Sequence, residues 1–207
     1  MMTLTIVMGA KSTSHMYRAF LCLLLRREGC RVIIYAGIGS RETPPEVLDI
    51  FEKLGYWLAK RGVILRSGHA DGADSAFEKG CVKANGNAEI FIPWPGFNGS
   101  NSKHVLKEND GAYDIARKFH PRFDYLSQGA QKLQARNSYQ ILGYDLSTPS
   151  DFVLCWTKKG SGKGGTGQAI RLAQHYDIPV LDFGKYQTVS EMRDEFNQFY
   201  GEVVNHD

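Results

Sequence analysis

Several features that would narrow the class of protein are missing from this sequence. None of the four cysteines forms a CxxC pair, and no cluster of histidine and cysteine has the spacing of a metal site. No apolar run approaches the roughly 20 residues of a membrane span, and the chain has neither a tandem repeat nor a low-complexity tract. These absences predict a cytoplasmic protein with reduced thiols that uses no metal, no cofactor and no membrane.

The net charge is too small to identify a partner. It is +3 over 207 residues, a balance shared by many proteins that bind small anions, so it does not by itself indicate nucleic acid. Hydrophobic residues make up 43% and charged residues 23% of the chain. That is the composition of an ordinary globular domain large enough to bury one core.

The N-terminal segment differs from the rest. Residues 19–25 form a short apolar run that ends at Arg26-Arg27-Glu28. A signal peptide needs a longer apolar core and a small-residue cleavage site, so we expect a short helix here. We assign residues 1–30 to an N-terminal extension, 31–184 to a Rossmann-like nucleotide-binding domain with an insertion at 97–127, and 185–207 to a C-terminal helix.

Beyond the extension, the sequence repeats a pattern of apolar run, glycine-rich segment and helix. Residues 31–36 read RVIIYA, a continuous apolar and β-branched run typical of a strand buried on both faces. Thr43 and Pro44 then open a helix, with Thr43 as the expected N-cap and Glu46 completing a capping box. Four further strands are predicted at residues 63–66, 88–92, 151–156 and 178–183.

Helices are expected between these strands. One begins at Ser75 and is predicted to end near Gly80; others cover residues 128–142 and 168–176, and an amphipathic helix closes the chain. The alternation of strands and helices argues for right-handed βαβ units. We therefore predict an α/β fold, a Rossmann-like three-layer sandwich with a mostly parallel sheet and helices on both faces.

Three glycine-rich loops follow predicted strands. In an open α/β sheet the ligand crevice lies outside the carboxyl ends of the strands. We therefore expect these loops to converge at one edge of the sheet. They are residues 37–41 (GIGSR), 68–74 (GHADGAD) and 164–167 (GGTG).

The first loop combines features that suit a phosphate group. Gly37 and Gly39 let the backbone approach a ligand closely. Ser40 can donate a hydrogen bond, and Arg41 can donate two to a phosphate. The start of the following helix also favours an anion. A tight turn with an exposed arginine is the alternative.

The second loop places two carboxylates beside glycines. Asp71 lies between Gly68 and Gly72, and Asp74 comes two residues after Gly72. Either carboxylate suits a ribose hydroxyl or a proton transfer. The alternative is that Asp74 or Ser75 only caps the next helix.

The third loop begins a helix and has lysines close by. It consists of Gly164, Gly165, Thr166 and Gly167, and it follows Lys158, Lys159 and Lys163. Backbone amides, a hydroxyl and ammonium groups together suit a phosphate. The residue after Lys163 is glycine, so this is not the GxxxxGK[ST] phosphate loop. A disordered basic loop is the alternative.

In this order, the segments resemble the Rossmann-like core shared by the DNA-processing protein A (DprA) family and the Lonely-guy (LOG) phosphoribohydrolases, the SLOG superfamily. Residues 38–41 (IGSR) are similar to the DprA GSR loop, and residues 67–74 (SGHADGAD) to its SGxAxGID segment. Residues 135–143 (ARNSYQILG) resemble its RNRxIAGL helix. Residues 164–171 (GGTGQAIR) resemble the glycine loop and helix that close the site in both families. The resemblance covers residues 31–184.

The resemblance implies a pocket for a nucleotide or a single-strand phosphate, and a homo-oligomer. It brings Arg136 and Asn137 into the site, which by themselves would suggest only a solvated helix face. The candidate catalytic residues are Asp74, Arg136 and Asp71. The candidate ligand-binding residues are Gly37, Gly39, Ser40, Arg41, Gly68, Gly72, Asn137, Gly164, Gly165, Thr166 and Gly167.

Three functions fit such a pocket. The first is binding of a phosphate-bearing nucleotide or a ligand derived from one. The second is hydrolysis of a nucleotide N-glycosidic bond, as the LOG resemblance implies, although the LOG signature glutamate is replaced by Arg171, and a cation does not substitute for that carboxylate. The third is DprA-like binding of single-stranded DNA, for which residues 97–140 offer aromatic and basic side chains.

Overall fold

The structure is a computed structural model that describes residues 31–108 and 110–205. The predicted N-terminal extension, with its short helix at residues 19–25, lies outside the described residues. From Ile33 onward the described chain forms one unit. Among the described residues, no helix has the length and apolar character needed to cross a membrane.

The described chain contains six strands and six α-helices. The strands are β1 (Ile34–Gly37), β2 (Ile64–Ser67), β3 (Ala88–Ile92), β4 (His104–Val105), β5 (Phe152–Cys155) and β6 (Val180–Asp182). The helices are α1 (Pro45–Lys60), α2 (Ala73–Lys83), α3 (Ala112–Phe119), α4 (Gln128–Leu142), α5 (Gly167–His175) and α6 (Val189–Asn205). All five predicted strands are present, with ends shifted by up to a few residues, and β4 is additional.

The six strands form one sheet in the order β4-β3-β2-β1-β5-β6. Every neighbouring pair is parallel, and Tyr35 of β1 lies opposite both Leu65 of β2 and Phe152 of β5. The chain moves outward from β1 to β4 and then returns to the other side of β1. The order therefore reverses between β1 and β5, which is where ligands bind in such sheets. The predicted α/β Rossmann-like sandwich is confirmed, with a wholly parallel sheet.

Helices cover both faces of this sheet. On one face, α1, α2 and α6 pack against Tyr35 and Phe152, and Phe51 of α1 stacks on Phe77 of α2 with ring centroids 4.3 Å apart. On the other face, α4 and α5 cover Ala36 and Val153. The strands are short and buried, so their sequences are almost continuously apolar, as expected of a parallel sheet covered on both faces.

Helix α2 is longer than the sequence suggested, because Gly80 does not end it. Gly80 lies inside the helix, at a contact with α1 so close that a Cβ atom would overlap the Glu52 carbonyl oxygen. Gly55 of α1 makes the reciprocal contact with the Phe77 carbonyl. These glycines allow two helix backbones to touch, so the expectation that Gly80 marks a helix end was wrong.

The start of α1 also differs from the expectation. The helix begins at Pro45 with Pro44 as the N-cap, and no side chain caps it. Thr43 is displaced from the cap position because its hydroxyl donates instead to the Ser40 carbonyl oxygen, at 2.7 Å. The threonine therefore fixes the loop between β1 and α1 instead of capping the helix.

The region predicted as an insertion contributes one edge strand and one α-helix among its described residues. His104–Val105 pairs with the end of β3, and α3 packs through Ala112 and Ala116 against α4. Phe123 is also buried in this cluster. At the other end of the chain, Met192 and Phe196 of α6 are buried against the main core.

Candidate ligand-binding cleft

A cleft of about 870 Å³ opens at the carboxyl ends of the strands, where the strand order reverses. Its walls come from the loop after β1, the loop after β2, helix α4, and the long loop between β5 and α5. The structure thus brings together the three glycine-rich loops, which are far apart in sequence.

The loop after β1 forms one wall. Gly39, Ser40 and Arg41 line the cleft. The Ser40 amide donates to the Trp156 carbonyl oxygen at 3.3 Å, so this loop is tied to the end of β5. Gly37 lies beneath the cleft, because a Cβ atom on it would come within 2.8 Å of the Phe77 ring. Gly37, a candidate ligand-binding residue in the sequence analysis, is therefore needed for packing against Phe77.

The loop after β2 contributes Ala70 and Asp74 to the lining, but not its glycines. Gly72 has φ +86°, and a Cβ atom there would lie 2.6 Å from the Ser40 carbonyl oxygen, so the two loops touch at this point. Asp71 is exposed and does not line the cleft. The structure therefore does not bring this candidate catalytic residue together with the others at the cleft.

Asp74 and Arg136 form a buried ion pair in the cleft wall. Oδ2 of Asp74 lies 3.5 Å from Nη1 of Arg136, and both side chains are about 4% exposed. Oδ2 also accepts the Gly68 amide at 3.1 Å, and Arg136 donates to Oε1 of Gln140 at 2.7 Å. The alternative that Asp74 caps α2 does not hold, since no side chain caps that helix and Gly72 is its N-cap.

Burial changes the acidity of Asp74. Burial raises the pKa of this carboxyl to about 6, although Arg136 and the Gly68 amide act in the opposite direction. Gly68 is needed for this arrangement, because a Cβ atom there would overlap Nη1 of Arg136. Arg136 is therefore not on a solvated helix face; it is held under the loop after β2.

The loop between β5 and α5 forms the opposite wall. Gly164, Gly165 and Thr166 line the cleft together with Lys158, Lys159 and Lys163. Gly167 does not line it: it begins α5, where a Cβ atom would overlap the Gly162 carbonyl oxygen. Nδ2 of Asn137 and Nε2 of Gln134 both donate to the Gly165 carbonyl oxygen, at 3.2 and 3.4 Å.

The charges around the cleft favour an anion. Five basic side chains line it, against two carboxylates. Asp74 is paired with Arg136, one of these five, so four basic side chains and the carboxylate of Glu42 remain. The first turn of α5 adds backbone amides whose partial charge is positive.

Comparisons with known proteins extend this description. No family model and no curated protein matches the sequence. Among solved structures, the chain is similar to DNA processing protein A from Helicobacter pylori, whose structure was determined for its single-stranded DNA binding mode: the TM-score is 0.52 at 18% identity, over 83% of this chain and 79% of that one. The chain has a DprA-like Rossmann fold. The Moco carrier protein of Chlamydomonas reinhardtii matches over 84% of this chain and 87% of that one at 17% identity, with a TM-score of 0.47.

On this DprA-like fold, one network that the sequence did not suggest holds the lysine loop, the loop between β5 and α5 that carries Lys158, Lys159 and Lys163. Asp182 at the end of β6 accepts the Thr157 amide at 2.8 Å and its hydroxyl, and also the Gly184 amide at 3.0 Å. The Thr157 hydroxyl accepts the Gly162 amide at 3.0 Å. Both Asp182 and Thr157 are buried. An acidic residue at the end of a predicted strand was the signal that could have suggested Asp182.

Arg171, which the resemblance to the LOG family aligns with the signature glutamate, lies outside the cleft lining. Its Nε donates to the Phe119 carbonyl oxygen at 2.7 Å, so the side chain joins α5 to the end of α3. The position therefore supplies a structural contact in this chain.

Proposed function

We propose that the chain binds a phosphate-bearing nucleotide, or a ligand derived from one, in the cleft at the carboxyl edge of the sheet. The observation that carries this proposal is the set of four exposed basic side chains and the N-terminus of α5 around a cleft at the reversal of strand order. The phosphate of a nucleotide is an anion and needs positive charge and free amide donors around it. Helix N-termini of α/β folds bind phosphates because they supply both.

The residues divide into two roles under this proposal. Arg41, Lys163 and the amides near Thr166 contact the phosphate, and they are among the donors that line the cleft. Asp74 and Arg136 act as a buried support that fixes the inner wall, because each already has the other as a partner.

Binding accounts for the site better than glycosidic hydrolysis does. A hydrolase needs a carboxylate that is free to approach the sugar. Asp74 is almost fully buried and accepts hydrogen bonds from Gly68 and Gln140. Glu42 is the other carboxylate of the lining, and it is exposed in the loop after β1.

A small ligand also fits better than single-stranded DNA. The aromatic residues that motivated nucleic-acid binding are partly in the core: Phe97 and Phe123 are buried. Tyr125 is 90% exposed and is the strongest remaining candidate for stacking on a base. A single exposed ring, which does not line the cleft, favours a mononucleotide over a strand.

Isothermal titration against nucleoside monophosphates tests the proposal. We expect saturable binding that weakens about 10- to 100-fold in Arg41→Ala, because a charge-assisted hydrogen bond to phosphate is lost. Arg193→Ala is the matched control, since that arginine is exposed on α6, away from the cleft, and it should bind like the unmodified chain. Absence of binding below millimolar concentration would reject the proposal.

Two readouts on the same samples separate the alternatives. Release of free base, followed by chromatography, would indicate hydrolysis. A mobility shift of a single-stranded oligonucleotide that weakens steeply with salt would indicate strand binding. Light scattering on these samples tests the homo-oligomer that the family resemblance implies.

A further inference from the structure

The oxygen of one buried side-chain amide in the cleft wall accepts no hydrogen bond from the described residues. Gln134 on α4 is 8% exposed and lines the cleft, and its Oε1 accepts no hydrogen bond from the described residues. Buried acceptors are nearly always paired in folded proteins. Ala130 and Leu133, up to one turn earlier on the same helix, give the cleft an apolar surface beside this atom.

The orientation of the amide follows from its neighbours. Nε2 of Gln134 lies 3.4 Å from the Gly165 carbonyl oxygen, so the reverse orientation would place two oxygen atoms against each other. Nδ2 of Asn137 donates to that same carbonyl at 3.2 Å. Gln134 can therefore turn away without leaving the Gly165 carbonyl unpaired, and rotation about its terminal torsion is soft.

We propose that Gln134 reads the nucleobase of the bound nucleotide. Its Oε1 accepts a hydrogen bond from an N–H group of the base, whose ring lies against Ala130 and Leu133. The ligand class is therefore a nucleotide whose base carries an N–H donor. This inference rests on the proposed function, since it needs the phosphate to be held in the same cleft by donors such as Arg41 and Lys163.

Titration with matched ligands tests the inference without relying on a variant. AMP and IMP carry an N–H donor on the base, purine riboside 5′-monophosphate carries none, and ribose 5-phosphate lacks the base. We expect AMP or IMP to bind the unmodified chain about tenfold more tightly than purine riboside 5′-monophosphate, the effect of one hydrogen bond. In Gln134→Leu this preference should disappear, while ribose 5-phosphate binds as before.

The control variant is Gln128→Leu, because Gln128 is an exposed glutamine at the start of the same helix and outside the cleft lining. It should keep the preference. Equal affinity of the unmodified chain for AMP, IMP and purine riboside 5′-monophosphate overturns this inference alone, and so does a preference that survives in a folded Gln134→Leu chain. Failure of every phosphate compound to bind overturns the proposed function and this inference together.

Discussion

The Oδ2 atom of Asp74 and the Nη1 atom of Arg136 lie 3.5 Å apart in the buried wall of the cleft and join the start of α2 to the middle of α4. Both charges are buried, so each compensates the desolvation of the other. Such pairs contribute little net stability compared with apolar residues, but breaking one side is costly. This asymmetry makes the pair testable.

Arg136→Met should lower the free energy of unfolding by about 3–5 kcal/mol, because it leaves the Asp74 carboxylate buried without a cation. Urea unfolding followed by circular dichroism measures the loss. The double variant Asp74→Leu/Arg136→Met should recover most of it, since no buried charge remains. If the double variant is as unstable as Arg136→Met, the cost comes from lost packing and this account is incorrect.

Gly68→Ala should destabilise the chain by about 1–3 kcal/mol and weaken nucleotide binding, because the new methyl group occupies the position of the Arg136 guanidinium. Thermal unfolding and titration measure the two effects. Gly129→Ala is the control: it lies in the first turn of α4 with open space around it and should be neutral or stabilising by up to about 1 kcal/mol. Equal behaviour of the two variants would contradict the prediction.

The stability of the unliganded chain should fall as the pH rises from about 4 to about 6. The pKa of Asp74 is about 6 in the folded state and close to its ordinary value of about 3.9 when unfolded. The folded state therefore holds a proton that the unfolded state has lost over this range, and the stabilisation, at most about 3 kcal/mol, is complete below pH 4 and lost above pH 6.

Urea midpoints at pH 4 to 7 measure this dependence. In Asp74→Asn the contribution should be absent, because an amide does not titrate. The difference between the two midpoints then changes with pH only between about 4 and 6. Parallel curves for the two chains would show that this carboxyl is not the titrating group.

Asp182→Ala should loosen the lysine loop, because the amides of Thr157 and Gly184 and the Thr157 hydroxyl lose their acceptor. We expect about 2–4 kcal/mol of lost stability. Trypsin should cleave after Lys158, Lys159 or Lys163 several-fold faster than in the unmodified chain. Asp194→Ala, at an exposed position of α6, should leave the cleavage rate unchanged; a similar rate in both variants would exclude the positioning role of Asp182.

The sequence was most informative about features that depend on residues close together in the chain. A run such as RVIIYA fits a strand covered on both faces whatever surrounds it, and a glycine-rich segment after it marks a close approach of backbone. Five strands and the three loops were predictable for this reason. The two-residue strand at His104–Val105 was not, because its pairing depends only on where the chain passes β3.

Features set by tertiary contacts could not be read in advance. Gly80 has the sequence signature of a helix end, but the carbonyl that excludes a side chain there belongs to a different helix. The direction of Arg136 depends on Gly68 and Asp74, more than 60 positions away. Only the family resemblance placed Arg136 in the site, and nothing indicated the roles of Gln134 or Gln140.

The reversal of strand order has a consequence for how this protein can be assayed. The residues that line the cleft run from Ile38, just after β1, to Ala169 in α5, so no short fragment contains a complete site. A compound that occupies it must engage both halves of the sheet at once and stabilises only the fully assembled state. Protection from heat by a small compound would therefore report on the intactness of the entire domain.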